Sequence, residues 1–277
     1  MKLLKQVFEF YINSSIHVAL SVCALTCVTI VEYNLAYDEN VLYFIFFASI
    51  TGYNFVKYFG IARFHHRRLA TRLKIIQFFS LIAFLMMIYF ALMLNTSTLF
   101  MVSLLGLITF LYAIPLIPKN YIVDKQQNLR QIGGIKVYVI ALVWMAATVL
   151  VPLINEEKII NLDIIITALQ RFLFVIVLMI PFEIRDLNYD SLKLATLPQT
   201  TGIKGAKIIG ILILMLFFIL EYFKDEVTAL SVLSTLIITF ITLLFLIISK
   251  KNNHKYYTSF WVESLPIIWL TVLLLFS

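Results

Sequence analysis

Nine long apolar runs, separated by short polar connections, make up most of this chain and limit what it can fold into. Of its 277 residues 62% are hydrophobic and only 13% are charged, more apolar material than the interior of a soluble domain needs. A helix needs about 20 apolar residues to cross a bilayer. The sequence therefore predicts an all-α, polytopic membrane protein with nine transmembrane helices. The predicted spans are 14–31, 40–57, 75–94, 98–117, 136–154, 162–182, 205–222, 227–249 and 258–276.

The connections between these runs contain no long linker and no stretch polar enough to form a soluble domain. We therefore predict a single transmembrane domain over residues 1–277. Its first segment, residues 1–13, alternates basic and apolar side chains with a helical period, which is typical of a helix lying at the membrane interface.

Basic residues are concentrated on one side of the predicted topology. The N-terminus and the loops 58–74, 118–135, 183–204 and 250–257, with their flanks, carry 19 of the 22 Lys and Arg residues. By the positive-inside rule that side is cytoplasmic, so the N-terminus is predicted inside and the C-terminus outside. We expect the inner or plasma membrane of a bacterium. The net charge of +7 favours contact with anionic membrane lipids, whereas nucleic acid is excluded as a partner because no separate domain carries the basic residues.

Three carboxylates cluster directly after the sixth span, in the stretch PFEIRDLNYDSLKLATLPQTTG (181–202). Spacings of three and four residues put Glu183, Asp186 and Asp190 on one face if the preceding helix continues through them. Carboxylates brought together repel one another unless a cation lies between them, and a divalent metal is the usual cation. We predict that these three residues are metal ligands.

The same stretch resembles the second aspartate-rich motif of the UbiA-type intramembrane prenyltransferases. The acidic positions of that motif fall on Glu183, Asp186 and Asp190. Further matches are Arg185, Lys193, Thr196, Leu197, Pro198 and Gly202. The nine predicted spans, with polar motifs after the second and sixth, are also what that family shows.

The resemblance implies a nine-helix bundle and an activity. Mg²⁺ would bridge carboxylates to an isoprenyl diphosphate, diphosphate would leave an allylic carbon, and a lipid or aromatic acceptor would capture the isoprenyl group. Asp186 and Asp190 would then be the principal catalytic residues and Mg²⁺ ligands, with Glu183 as a further ligand, while Arg185 and Lys193 would bind substrate.

The first motif of the family departs from its pattern here. Asn54 matches the asparagine of Asn-Asp-x-x-Asp-x-x-x-Asp, but the acidic positions fall on Phe55, Tyr58 and Ala62. We expect Asn54 to face the same cavity as Asp186 and to bind substrate.

Cationic residues lie next to these positions in the sequence. On one reading Lys57 or Arg63 binds diphosphate directly, replacing a metal cluster with fixed positive charge. On the other reading the whole basic run, residues 57–74, only anchors the chain at the membrane surface.

Three more polar residues lie within or near predicted spans. Charged groups at membrane depth usually face the protein interior. Arg171 lies midway through the sixth span, where we favour a structural role, and Glu263 lies near the cytoplasmic start of the ninth, where it could join the site. Lys136 could reach a phosphate, although snorkelling to the interface is its commoner fate.

Three functions are open from the sequence. The first is a divergent prenyltransferase, an enzyme that transfers an isoprenyl group with Mg²⁺-assisted departure of diphosphate. The second is a non-catalytic membrane protein of the same fold that binds a lipid phosphate. The third, a small-solute transporter, rests only on the number of spans.

Overall fold

The computed structural model describes residues 2–64, 71–113, 134–187 and 194–276. Every regular element in these ranges is helical, which confirms the all-α prediction. The first five helices are α1 Lys2–Asn13, α2 Ile16–Glu32, α3 Glu39–Phe64, α4 Thr71–Ala91 and α5 Thr96–Ala113. The others are α6 Ile135–Met145, α7 Val151–Asn155, α8 Leu162–Asp186, α9 Leu197–Ile219, α10 Ala229–Ile248 and α11 Leu265–Phe276.

Each predicted span coincides with one of these helices or with a continuous pair. Among the described residues, seven helices are long and apolar enough to cross a membrane, or eight if the bent pair α1–α2 counts as one span. Helix α3, the second predicted span, is not among them, and its Asn54 and Lys57 lower its apolar content. The fold class is confirmed, and the count of nine is approximate.

Two spans contain a π-helical turn. Ala146–Leu150 joins α6 to α7, and Tyr257–Val262 precedes α11. Such turns shift the faces of a helix and occur often at functional sites. Both turns contribute side chains to the cavity described below.

Helix α8 lies at the centre of the bundle. In the most apolar 18-residue stretch of α8, 67% of the residues are buried, whereas the corresponding share in α4 is 11%. The outer face of α4 carries exposed apolar side chains, which suits contact with lipid. Phe174 of α8 forms an aromatic cluster with Phe217 of α9 and Trp269 of α11, with ring centroids 5.1–5.7 Å apart. This cluster packs α8, α9 and α11 against one another.

Hydrogen bonds define the two ends of the bundle. At one end Lys57 Nζ donates to the carbonyl of Asn13 at 3.0 Å, and Gly134 N donates to the carbonyl of Leu194 at 2.9 Å. These contacts bring the N-terminal segment and the basic connections to one end, as the charge pattern predicts. We call it the basic end; the side of the membrane it faces stays a prediction.

The opposite end has its own polar contacts. There Asn155 Nδ2 donates to Asp38 at 2.9 Å, and Asp163 accepts from the backbone N–H of Asp225 at 2.7 Å. The connections at this opposite end therefore also lie close together.

The N-terminal helix α1 is bent by 55° from α2. The bend falls at Ser14 and Ser15, where Ser15 adopts a left-handed backbone with φ of 64°. Leu3 and Leu4 on the outer face of α1 are strongly exposed, as an interfacial helix requires. The inner face of α1 packs over the basic end, with Phe8 in edge-to-face contact with Tyr256.

Candidate functional site

A cavity of about 1440 Å³ opens inside the bundle. Helices α1 to α8, the two π-helical turns and the loop after α10 supply its walls, whereas α9 and α10 pack elsewhere on α8. Most of the wall is apolar, with side chains such as Val22, Phe44, Leu99, Val102 and Val175. A cavity of this kind suits a ligand with a large hydrocarbon part.

The polar part of the cavity lies at the basic end, and we call it the mouth. Among the residues that the structure describes, five basic side chains face it against three carboxylates, Glu9, Asp186 and Glu263. The basic ones are Lys57, Lys136, Arg185, Lys251 and Lys255. The mouth therefore carries an excess of positive charge.

Helix α1 forms one rim of the mouth. The carbonyl of Asn13 accepts hydrogen bonds from Lys57 Nζ at 3.0 Å and from the Tyr58 hydroxyl at 2.9 Å. On the other side Glu9 pairs with Lys255 at 3.4 Å. These bonds join α1 to α3 and to the segment before α11.

Asp186 faces the mouth as predicted, but it is already paired. Arg185 Nε lies 2.7 Å from Oδ1 of Asp186, and Nη2 lies 3.0 Å from Oδ2. The remaining guanidinium nitrogen of Arg185 donates to Thr258 at 2.6 Å, and the group stacks on Phe182 with 5.2 Å to the ring centroid. The two predicted site residues are thus brought together at the end of α8.

Glu183 does not line the cavity. It is buried, and its Oε2 accepts the backbone N–H of Leu197 at 3.2 Å, at the first residue of α9. A carboxylate at this position complements the positive end of the helix dipole. Its predicted role as a metal ligand is not supported by this contact.

Asn54 also turns away from the cavity wall, contrary to our expectation. Its amide nitrogen donates to the carbonyl of Ser14 at 3.0 Å and to Ser80 at 2.8 Å, and its oxygen accepts from Ser15 at 2.8 Å. The side chain is buried, and these bonds join the α1–α2 bend to α3 and α4. The structure gives Asn54 a packing role behind the wall.

Three other predicted site residues lie outside what the structure describes. Asp190 and Lys193 fall between the described ranges, and the side chain of Arg63 is not described. Their predicted roles stay predictions.

The described residues do not form a ready-made magnesium site. No group of three or more His, Cys, Asp or Glu side chains in the described ranges is placed to hold a metal ion. Of the second-motif acids that the structure describes, only Asp186 faces the cavity, and Arg185 occupies both its oxygens. Mg²⁺ prefers one or two available carboxylates with phosphate oxygens and water. The positive charge that the described residues bring to the mouth comes from Lys and Arg side chains.

The structure adds residues to the site that the motifs did not indicate. Lys251 and Lys255 come from the loop before α11, and Tyr53 lines the wall one turn before Lys57. Glu263 also joins the site, and a lone carboxylate inside an apolar span was its signal in the sequence. No motif marked Lys251, Lys255 or Tyr53, because loop lysines and span aromatics are ordinary in membrane proteins.

The fold and the cavity define a class: an α-helical integral membrane protein with one large, mostly apolar cavity and a basic mouth. Comparison with solved structures identifies the fold within that class. The chain superposes on a UbiA homolog from Aeropyrum pernix K1 with a TM-score of 0.64 and 14% identity, covering 94% of this chain and 97% of that one. It superposes on digeranylgeranylglyceryl phosphate synthase with a TM-score of 0.57 and 17% identity, covering 99% and 97%. The chain therefore has the UbiA-type prenyltransferase fold.

The sequence itself matches no family model and no curated protein.

Proposed function

We propose that this protein binds an isoprenyl diphosphate in the cavity and transfers the isoprenyl group to a lipid or aromatic acceptor. The diphosphate would lie at the mouth, and the isoprenyl chain would extend along the apolar wall. The UbiA-type fold and the division of the cavity into a cationic mouth and an apolar interior support this proposal.

The main support for this proposal is a group of lysines at the mouth. Three lysines at the mouth, Lys57, Lys136 and Lys251, form a salt bridge with no carboxylate of the described residues. Lys57 and Lys251 are exposed and Lys136 is half-buried, so their ammonium groups are accessible to a ligand at the mouth. A diphosphate supplies several acceptor oxygens and negative charge, so it would give these lysines a counter-charge, which for Lys57 adds to its hydrogen bond with the Asn13 carbonyl.

Arg185 would also bind the diphosphate. Its planar guanidinium suits the fork-like geometry of phosphate oxygens, and its stacking on Phe182 fixes the plane of the group. Asp186 holds Arg185 in this position. The pair therefore orients a phosphate ligand without needing Asp186 to touch it.

These cations would also act on the transfer step. When the bond between the allylic carbon and diphosphate breaks, negative charge grows on the leaving group, and fixed positive charge stabilises it. The isoprenyl cation left behind would be stabilised by aromatic side chains, and Tyr53 and Phe55 line the cavity. The predicted Mg²⁺ requirement belongs to this proposal as an open measurement, and no step here depends on it.

Binding without transfer is the second candidate. It is favoured by the Arg185–Asp186 pair, which takes the one described second-motif carboxylate that faces the cavity. A protein of this kind would keep the lipid-phosphate pocket and lose turnover.

One assay separates the two. Purified protein in lipid nanodiscs is mixed with labelled geranyl, farnesyl or geranylgeranyl diphosphate, with Mg²⁺ or with EDTA. Saturable binding with diphosphate release supports transfer, and binding without release selects the second candidate. The absence of saturable binding for all three ligands contradicts both.

A lysine series tests the mouth directly. Lys57→Ala and Lys136→Ala should each weaken binding of farnesyl diphosphate roughly tenfold, about the loss of one charge-assisted hydrogen bond. The matched control is Lys204→Ala, an exposed lysine that does not line the cavity. Equal, small effects of all three substitutions would favour the reading in which the basic residues only anchor the chain.

A further inference from the structure

We propose that Glu263 and Tyr53 bind the hydroxyl group of the second substrate, an alcohol or a phenol, and that Glu263 accepts its proton. This inference rests on the proposed function and names the class of acceptor. It concerns a part of the cavity next to the lysines of the mouth.

Glu263 is a carboxylate that the fold turns toward the cavity without a hydrogen-bonding partner among the described residues. It lies at the end of the π-helical turn Tyr257–Val262 and lines the cavity wall. Its side chain makes no hydrogen bond or salt bridge with any residue that the structure describes. The other two carboxylates of the mouth, Glu9 and Asp186, are both paired.

The backbone around Glu263 is held firmly. Ser21 of α2 donates a hydrogen bond to the Glu263 carbonyl, and Glu263 N donates to the Thr258 carbonyl at 3.2 Å. His17 also contacts this segment through the carbonyl of Phe260, at 2.9 Å from Nε2. The carboxylate is therefore presented to the cavity from a fixed base, as a binding group requires.

The charges around Glu263 decide what it can bind. Burial disfavours its ionised form, whereas the positive charges of Lys57 and Arg185, the cations assigned to the diphosphate, favour that form. A carboxylate repels a phosphate and accepts hydrogen bonds, so its ligand must be a donor. Glu263 is therefore unsuited to the diphosphate itself and suited to a second, protic ligand beside it.

Tyr53 supplies the complementary group. It lies four residues before Lys57 on α3, so both share a face one helical turn apart, and both line the cavity. Trp144 Nε1 donates to the Tyr53 hydroxyl at 2.7 Å, which uses an acceptor position and leaves the hydroxyl proton to donate. No residue in the described ranges accepts that proton.

A hydroxyl group fits both partners. It can accept from Tyr53 and donate to Glu263, which interacts electrostatically with Tyr53. An apolar acceptor could satisfy neither. The cavity thus offers a cationic position for the diphosphate and, beside it, a donor–acceptor pair for a hydroxyl.

The transfer step is then balanced within the cavity. The acceptor oxygen forms a bond to the allylic carbon while the bond from that carbon to diphosphate breaks. The electron pair of the broken bond leaves with diphosphate, and the hydroxyl proton passes to the Glu263 carboxylate. Such a base typically contributes a factor of about 10² or more to the rate.

Two model ligands test the hydroxyl site by binding alone. We expect 4-octylphenol to bind the protein in nanodiscs roughly tenfold more tightly than octylbenzene, which lacks only the hydroxyl. Glu263→Leu and Tyr53→Phe should bring that ratio close to one. The matched controls Glu39→Gln and Tyr222→Phe, both exposed and outside the cavity, should leave it unchanged. A ratio that is the same in all five proteins overturns the proposal.

Glu263→Gln tests the proton acceptor, since it keeps the shape and a hydrogen-bonding oxygen. With farnesyl diphosphate and 4-octylphenol, formation of the farnesyl ether should fall roughly 100-fold, while farnesyl diphosphate binds as tightly or more tightly. Unchanged ether formation in this variant contradicts the proton transfer. If farnesyl diphosphate does not bind the unmodified protein, the proposed function fails, and the phenol-to-octylbenzene ratio still decides the hydroxyl site.

Discussion

Arg185 holds both carboxylate oxygens of its neighbour Asp186, with Nε 2.7 Å from Oδ1 and Nη2 3.0 Å from Oδ2. Both residues of the pair line the cavity at its mouth, where the proposed diphosphate would lie. A bidentate pair of this kind is among the stronger polar contacts in a protein. It gives Asp186 a role as a positioning residue for Arg185, next to its predicted role as a metal ligand.

These two roles predict opposite effects of Asp186→Asn. Without metal, loss of the negative charge should strengthen farnesyl diphosphate binding severalfold, because repulsion falls and Arg185 is released. With Mg²⁺, the same change should weaken binding if Asp186 is a ligand. Titrations in EDTA and in Mg²⁺ measure both, with Asp225→Asn at the opposite end as the control. Equal weakening in both buffers would contradict the positioning role.

Asn54 should matter for stability and not for ligand binding. Asn54→Ala removes three buried hydrogen bonds, to Ser14, Ser15 and Ser80, and should lower the free energy of unfolding by about 1–3 kcal/mol. Thermal unfolding in detergent and the affinity for farnesyl diphosphate are measured together. Asn40→Ala serves as the control, because the Asn40 side chain makes no hydrogen bond with the described residues. Loss of affinity without loss of stability would restore the predicted substrate-binding role.

Glu183 should behave as a helix cap. Glu183→Ala leaves the first N–H of α9 without its acceptor and should destabilise the protein by about 1–2 kcal/mol. Glu183→Gln, which keeps an acceptor oxygen, should cost less. Unfolding midpoints of the two variants test this order. If Glu183→Gln instead abolishes a Mg²⁺ dependence of diphosphate binding at full stability, Glu183 is a metal ligand after all.

Arg171 should be the most sensitive position outside the cavity. It is 1% exposed, donates to the carbonyl of Leu25 at 2.7 Å, stacks on Trp269 and compensates the charge of Glu32. Arg171→Met should destabilise the protein by about 1–3 kcal/mol, because the Leu25 carbonyl and the Thr29 hydroxyl lose their buried donor and Glu32 keeps only Lys224 as an interacting cation.

A second substitution isolates that cause. Adding Glu32→Gln to Arg171→Met should recover part of the lost stability, because it removes the carboxylate whose charge Arg171 balances together with Lys224. Lys158→Met, at an exposed lysine, is the control and should change the unfolding midpoint little. A double variant no more stable than the single one would show that packing on Trp269, and not charge, is what Arg171 contributes.

The helices were predictable because their signal is local. Each apolar run needs only its own composition to specify a membrane-spanning helix, since backbone groups in lipid must be satisfied within the segment. The basic end was predictable for a similar reason, because alternating connections fall on alternating sides. The sequence also indicated that the end of α8 and the start of α9 carry polar chemistry.

The direction in which each polar side chain points, and therefore its partner, was not predictable in the same way. Glu183 and Asp186 are three residues apart and share a face on paper, yet one carboxylate caps α9 and the other pairs with Arg185. Asn54 matched a motif, but the α1–α2 bend brings Ser14 and Ser15 to its amide, and α4 brings Ser80. In each case the partner comes from a side chain or backbone group whose position is fixed by the packing of the helices.

The sequence by itself determined that this chain is an α-helical membrane protein with its basic connections at one end, because composition and length act within each segment. Only the tertiary structure decided that Lys57, Tyr53 and Glu263 share one cavity while Asn54 and Glu183 lie behind its wall. Rotation of a helix about its axis is set by contacts with its neighbours, and the π-helical turn before Glu263 shifts that rotation further. A site built from five or more helices depends on all of those rotations at once, so it emerges only when the bundle is packed.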